Sequence, residues 1–118
     1  MRVQLEAQTL RLRIDENELA RLLAGGAAIN RTGLPDGHVQ TQQVSLAPRI
    51  DWQREATVWH IQLPEADVRA LSERLPTREG LAFSLSTPGG DTLQILFDVD
   101  VRDSARKRLS NSSKGGAA

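Results

Sequence analysis

Polar and apolar residues alternate along this chain at two periods, and the switches between those periods mark the elements. Val3, Leu5 and Ala7 alternate with Arg2, Gln4 and Glu6, and Leu10, Leu12 and Ile14 alternate with Arg11 and Arg13. Period two predicts strand with one buried face. The apolar phase slips between Ala7 and Leu10, so a bulge or tight turn is expected near Gln8-Thr9. Asp15-Glu16-Asn17-Glu18 then opens a helix, with Asp15 as cap and Glu18 three residues on as in a capping box. Leu19, Leu22 and Leu23 supply a helical stripe, and Gly25-Gly26 ends it. Residues 27–32 predict a short strand, Gly33-Leu34-Pro35-Asp36-Gly37 a turn, and residues 39–47 a strand mostly polar on one face, broken by Pro48-Arg49.

The pattern then restarts. Residues 50–63 predict strand, with Trp52, Trp59, Ile61 and Leu63 in one phase. Pro64-Glu65-Ala66-Asp67 opens a second helix, Pro64 fitting a first turn that needs no N–H. Val68, Leu71 and Leu75 form its stripe and Pro76 ends it. Leu81, Phe83 and Leu85 alternate as strand, Pro88-Gly89-Gly90-Asp91 is a hairpin turn, and Leu93, Ile95 and Phe97 make the last strand.

The two stretches overlay. Ile14 falls on Leu63, an offset of 49, and at that offset Gln4, Glu6 and Ala7 meet Gln53, Glu55 and Ala56 without a gap from residues 1–23 to 50–72. The turns Asp36-Gly37 and Gly89-Gly90 match only after a further shift of four. Two repeats are too few for a solenoid and predict a pseudo-twofold domain. The expected fold is therefore α+β: two similar β-α-β-β halves, residues 1–49 and 50–98, with two short helices and a mostly antiparallel or barrel-like sheet. A single domain is expected over residues 1–103, with residues 104–118, rich in Ser, Gly and Ala after Arg106-Lys107-Arg108, as a disordered tail.

The opening Arg2-Val3-Gln4-Leu5, a polar turn, Thr9-Leu10-Arg11-Leu12-Arg13-Ile14 and then Glu18-Leu19 resemble the start of a family of short bacterial proteins known only as a domain of unknown function, number seven-thousand-nine. Leu63-Pro64-Glu65-Ala66 and Leu93-Gln94-Ile95-Leu96 are also similar to it, so the resemblance spans most of residues 1–100. The chain departs where family members continue into a Phe-x-Cys-Leu-like segment, because Asp98-Val99-Asp100-Val101 leads on without Cys. The resemblance implies no activity.

Composition removes several function classes. Acidic and basic residues balance at 15 each in 118 residues, so net charge points to no polyionic partner. With no cysteine there is no disulfide framework, thiolate metal site or cysteine nucleophile, and a reducing compartment suits the chain. No apolar run is long enough to cross a bilayer, and the start lacks a signal-peptide core, so a cytoplasmic protein without membrane contact is expected. Arg in place of Lys, with abundant Ala and Leu, looks bacterial.

Among residues that carry chemistry, Arg2, Arg11 and Arg13 come first, since they share the polar face of the first strand region. Guanidinium groups on one face bind phosphate or carboxylate bidentately, though charged residues at period two usually only face water. His38 and His60 lie on separate elements without helical His spacing, so they form no metal site, and no nucleophile motif accompanies them. Asp15, Glu16, Glu18, Glu65 and Asp67 are explained by helix starts. Asp98, Asp100 and Asp103 predict a charged edge strand. The glycines form no phosphate loop, so no cofactor is expected. Trp52 and Trp59 fit the core phase. The expectation is a non-catalytic binding or interaction module that pairs with a second copy through an open edge. The alternatives are an anion- or nucleotide-binding protein using Arg2, Arg11 and Arg13, and an enzyme using His38 or His60 with carboxylates. Three adjacent bases are too short a run for a nucleic-acid module.

Overall fold

The computed structural model describes residues 1–101. Strands β1 (Arg2–Glu6) and β2 (Thr9–Asp15) precede helix α1 (Glu16–Leu23), and strands β3 (Ala28–Gly33) and β4 (Val39–Ala47) follow it. The series then repeats as β5 (Asp51–Glu55), β6 (Val58–Pro64), α2 (Glu65–Glu73), β7 (Leu81–Ser86) and β8 (Thr92–Asp100). The expected tail at 104–118 lies outside the described residues. No helix among the described residues is long and apolar enough to cross a membrane.

The phase slip at Gln8-Thr9 is a two-residue turn. Glu6 pairs with Thr9 across it, and Ala7 takes φ 48°. Its counterpart 49 residues on, Ala56, takes φ 53°, and Glu55 pairs with Val58. A left-handed alanine costs about 1 kcal/mol, and both halves hold one at the same place. Each opening strand region is therefore a hairpin, and each half runs β-β-α-β-β.

Both helices are too short to persist alone, so caps and packing hold them. The Asp15 carboxylate accepts from the Glu18 N–H at 2.7 Å, while Glu18 Oε1 accepts from the Asp15 N–H at 3.1 Å, completing the capping box. Gly25, at φ 94°, supplies the left-handed residue that turns the chain out of α1. Helix α2 starts at Pro64 without a side-chain cap. Arg69, on α2, donates to the Leu23 carbonyl at the end of α1 at 3.1 Å and pairs with Glu65 at 2.8 Å, tying the helices together.

The strands form two open four-stranded sheets, β1-β2-β8-β7 and β3-β4-β6-β5, and neither closes into a barrel. Each sheet joins the first hairpin of one half to the second hairpin of the other. The join is a parallel pair: β2 with β8, where Leu12 meets Phe97, and β4 with β6, where Val44 meets Ile61. The other four pairings are antiparallel. The fold is α+β with two similar, pseudo-twofold halves, as the sequence repeat predicts. The repeat's four-residue shift falls between α2 and β7. Helix α2 is one residue longer than α1, and the connection 74–80 is three residues longer than 24–27. The connection closes tightly, since a Cβ on Gly80 would collide with the Phe97 carbonyl oxygen.

One core serves both halves. Leu10, Leu12, Ile14, Ile95 and Phe97 face inward from the first sheet, and Val44, Ile61 and Leu63 from the second. Leu19, Leu22, Val68 and Leu71 bring in the helices, and each of these side chains is at most 5% exposed. Because neither sheet is complete within one half, residues 1–49 and 50–118 expressed separately are expected to lack stable strand structure. Mixing them should restore it, read by far-ultraviolet circular dichroism as a gain well above the sum of the separate spectra.

Candidate functional site

The outer face of the first sheet carries the arginines. Arg2 lies opposite Arg13 on the antiparallel β1–β2 pair, and Gln4 opposite Arg11. Like charges directly opposite repel, and the neighbouring strand answers them: Arg13 registers with Asp98 on β8. Arg13 Nε donates to Asp98 Oδ1 at 2.9 Å, and Arg11 Nη2 to Asp98 Oδ2 at 3.3 Å. One carboxylate thus lies in the fork of two guanidinium groups, where an incoming anion would bind. Strand β8 is not the charged edge expected from Asp98, Asp100 and Asp103. It lies inside the sheet between β2 and β7, and Asp98 is tolerated there because Arg11 and Arg13 neutralise it.

The histidines stay apart from this face and on the surface. His38 sits at the β3–β4 turn, its Nδ1 3.0 Å from Asp36, with its side chain 68% exposed. His60 is on the outer face of the second sheet, opposite Gln53, with Nε2 3.6 Å from Glu55. Neither lines the cleft that opens beside Trp52. No group of three or more His, Asp or Glu among the described residues is placed to hold a metal ion.

Trp52 and Trp59 lie on the inner face of the second sheet, half-buried against the core. Their ring centroids are 5.6 Å apart with planes tilted by 58°. The Arg54 guanidinium covers both rings at 5.7 and 5.8 Å, an arrangement that satisfies the ring faces by cation–π contact.

Beside Trp52 the two sheets leave a cleft of about 430 Å³. Trp52, Leu85, Pro88 and Leu93 wall it, and Gln8, Asp51, Ser86 and Thr87 complete its lining. Leu85 and Leu93 pair across the β7–β8 hairpin and point inward. The hairpin's turn is fixed by the Thr87 N–H and hydroxyl, which both donate to the Asp91 carbonyl, at 2.8 and 3.1 Å. The cleft volume is within the range of small-molecule sites, as is an apolar wall with a few polar groups.

The other half does not share this chemistry. At the repeat offsets, Trp52, Leu85 and Leu93 become Val3, Thr32 and Gln40. Deeper in the same hairpin, Phe83 and Ile95 become Asn30 and Gln42, whose amides hydrogen-bond to each other at 2.9 Å. An apolar hairpin surface in one half is thus a polar one in the other. The strand pattern of β7 and β8 marks these residues only as core. The signal that separates cleft from core is the comparison of the two repeats after the four-residue shift.

No family model matches this chain, and no curated protein matches it.

The arginine ladder has a measurable signature. Asp98→Asn should lower stability by about 0.5–1.5 kcal/mol, because it removes two ion pairs and leaves Arg2, Arg11 and Arg13 to repel one another. Urea unfolding of both proteins in 0.05 M and 1 M NaCl should show the difference shrinking at high salt.

Proposed function

We propose that this chain is a non-catalytic binding module and that the cleft beside Trp52 is its ligand site. The observation that supports this reading is the cleft's asymmetry. Two halves with one backbone plan differ in chemistry here, where Trp52, Leu85 and Leu93 replace Val3, Thr32 and Gln40. Core packing alone needs no such opening, because an apolar hairpin surface left beside a void loses dispersion contacts. Absence of cysteine suits a reducing compartment, and we place the protein in the cytoplasm.

The arginine face supports an anion site less well, since Asp98 already holds Arg11 and Arg13. A histidine-based enzyme has less support still, because His38 sits in the β3–β4 turn and His60 on β6, each with its own acidic neighbour.

The neutral dye N-phenyl-1-naphthylamine tests the cleft. Its fluorescence should rise saturably, with one site per chain. Trp52→Ala should weaken binding at least tenfold while the circular dichroism spectrum keeps its strand signature. A linear, unsaturated rise would end this reading.

Self-association is a second reading, favoured by two exposed apolar residues on edge strands: Leu5 on β1, 61% exposed, and Ile29 on β3, 50% exposed. Open edges invite pairing. Light scattering at micromolar concentration should give the mass of two chains. A one-chain mass for the native protein would remove this reading.

A further inference from the structure

Each half offers its opening strand as a sheet edge, β1 in the first sheet and β5 in the second. The two edges hold the same place in the repeat but differ in charge order. Strand β1 runs Arg2-Val3-Gln4-Leu5-Glu6, and β5 runs Asp51-Trp52-Gln53-Arg54-Glu55. On β1, Arg2, Gln4 and Glu6 share the outer face, and Val3 and Leu5 the inner one. Val3 packs on the core, whereas Leu5 is 61% exposed. Among the described residues neither Arg2 nor Glu6 makes an ion pair.

Laid antiparallel on a copy of itself, with Gln4 opposite Gln4, β1 sets Arg2 opposite Glu6 of the copy at both ends of the seam. Val3 then meets Leu5 of the copy, which covers the exposed leucine. The backbone agrees with this register. The two-residue turn makes Glu6 and Thr9 a hydrogen-bonded pair, so residues 2, 4 and 6 turn their N–H and C=O groups to β2. Those of Val3 and Leu5 face the open edge, where the same residues of a copy match them. On the outer face the order becomes Asp98, Arg13, Arg2 and Glu6 of the copy, so acids flank the two facing arginines.

The same operation on β5 sets Asp51 opposite Glu55 at both ends. Like charges directly opposite repel, so this edge is guarded against its own copy. Strand β3 carries Arg31 with no acid to meet it, and β7 carries no charge.

We infer that the chain forms a two-fold dimer by antiparallel pairing of β1 with β1 of a second copy, centred on Gln4. The inference rests on the self-association reading and adds the edge and the register. Such a pairing uses the same patch on both chains and closes on itself, so assembly stops at two.

The test is sedimentation equilibrium of the full chain. Glu6→Arg turns both ion pairs of the seam into repulsions and should raise the dimer dissociation constant at least tenfold. Adding Arg2→Glu to it re-forms both pairs with exchanged charges and should bring the constant back to within about threefold of native. The chain has no cysteine, so a single introduced thiol reports the register. Under mild oxidation Gln4→Cys should link two chains by a disulfide, since residues at the two-fold axis face each other. Glu6→Cys should not, because its copy lies about 13 Å along the seam. A dimer that ignores Glu6→Arg, or that Glu6→Cys links as readily as Gln4→Cys, would overturn the β1 seam and leave self-association to another edge. A one-chain mass for the native protein would overturn both.

Discussion

The parallel pairing of β2 with β8, and of β4 with β6, is the constraint on which the rest of this structure depends. A two-stranded hairpin is marginal in water, and each half of this chain holds two hairpins that do not pair with each other. They become sheets only by exchange, when Leu12 comes beside Phe97 and Val44 beside Ile61. The helices then lie in the space between the sheets, where Leu19 and Leu22 from one and Val68 and Leu71 from the other reach the same core. Caps and the Arg69 link orient the helices, but short helices of this kind contribute little until that core has formed. The exchange also makes the second and last strands neighbours, so long-range contacts must close before either sheet is complete, which favours slow, cooperative folding.

Exchange has a second consequence. Each sheet contains one hairpin from each half, so a chemical difference between halves becomes a difference between the two sheets. The β7–β8 hairpin presents Phe83, Leu85, Leu93 and Ile95, and the β3–β4 hairpin presents Asn30, Thr32, Gln40 and Gln42 at the same places. The polar set is not a defect. Gln42 is only 8% exposed, yet its amide oxygen accepts from Asn30, and no buried side-chain polar atom among the described residues lacks a partner. The apolar set leaves the cleft, because its tip reaches the start of β5 rather than a closed layer of core.

Much of the local structure is legible in the sequence for physical reasons. The capping box at Asp15 and Glu18 acts within one turn, and the alternation of Leu10, Leu12 and Ile14 needs only strand geometry and a buried side. The gapless offset of 49 and its later shift of four are both present, residue for residue, in the hairpins and in the longer 74–80 connection. What the pattern cannot carry is which strands meet. Period two is the same for an edge and an interior strand when one face is solvated, so Asp98 looks like edge protection until Arg11 and Arg13 are brought beside it from 85 or more residues away. The phase slip locates the first turn near Gln8-Thr9, but its counterpart at Ala56-Thr57 is hidden inside the strand predicted over residues 50–63. The left-handed residue there is alanine, where glycine or asparagine would have announced it. The cleft is hidden because an apolar residue facing a void and one facing a neighbour have the same place in the periodicity.

The arginine face and the cleft differ in where their charges come from. On the outer face of the first sheet, Arg11 and Arg13 come from the first half and Asp98 from the second, so the ion pairs exist only because β2 and β8 are adjacent. That match uses up the one acidic side chain placed between the two arginines, and with it much of the face's attraction for an anion. At the cleft the charges are local to one strand: Asp51 lines it, and the Arg54 guanidinium lies over the Trp52 ring at 5.7 Å. Acid, ring and base all come from β5, so this balance needs no partner strand from the other half, whereas the pairing of Arg11 and Arg13 with Asp98 exists only through the exchange.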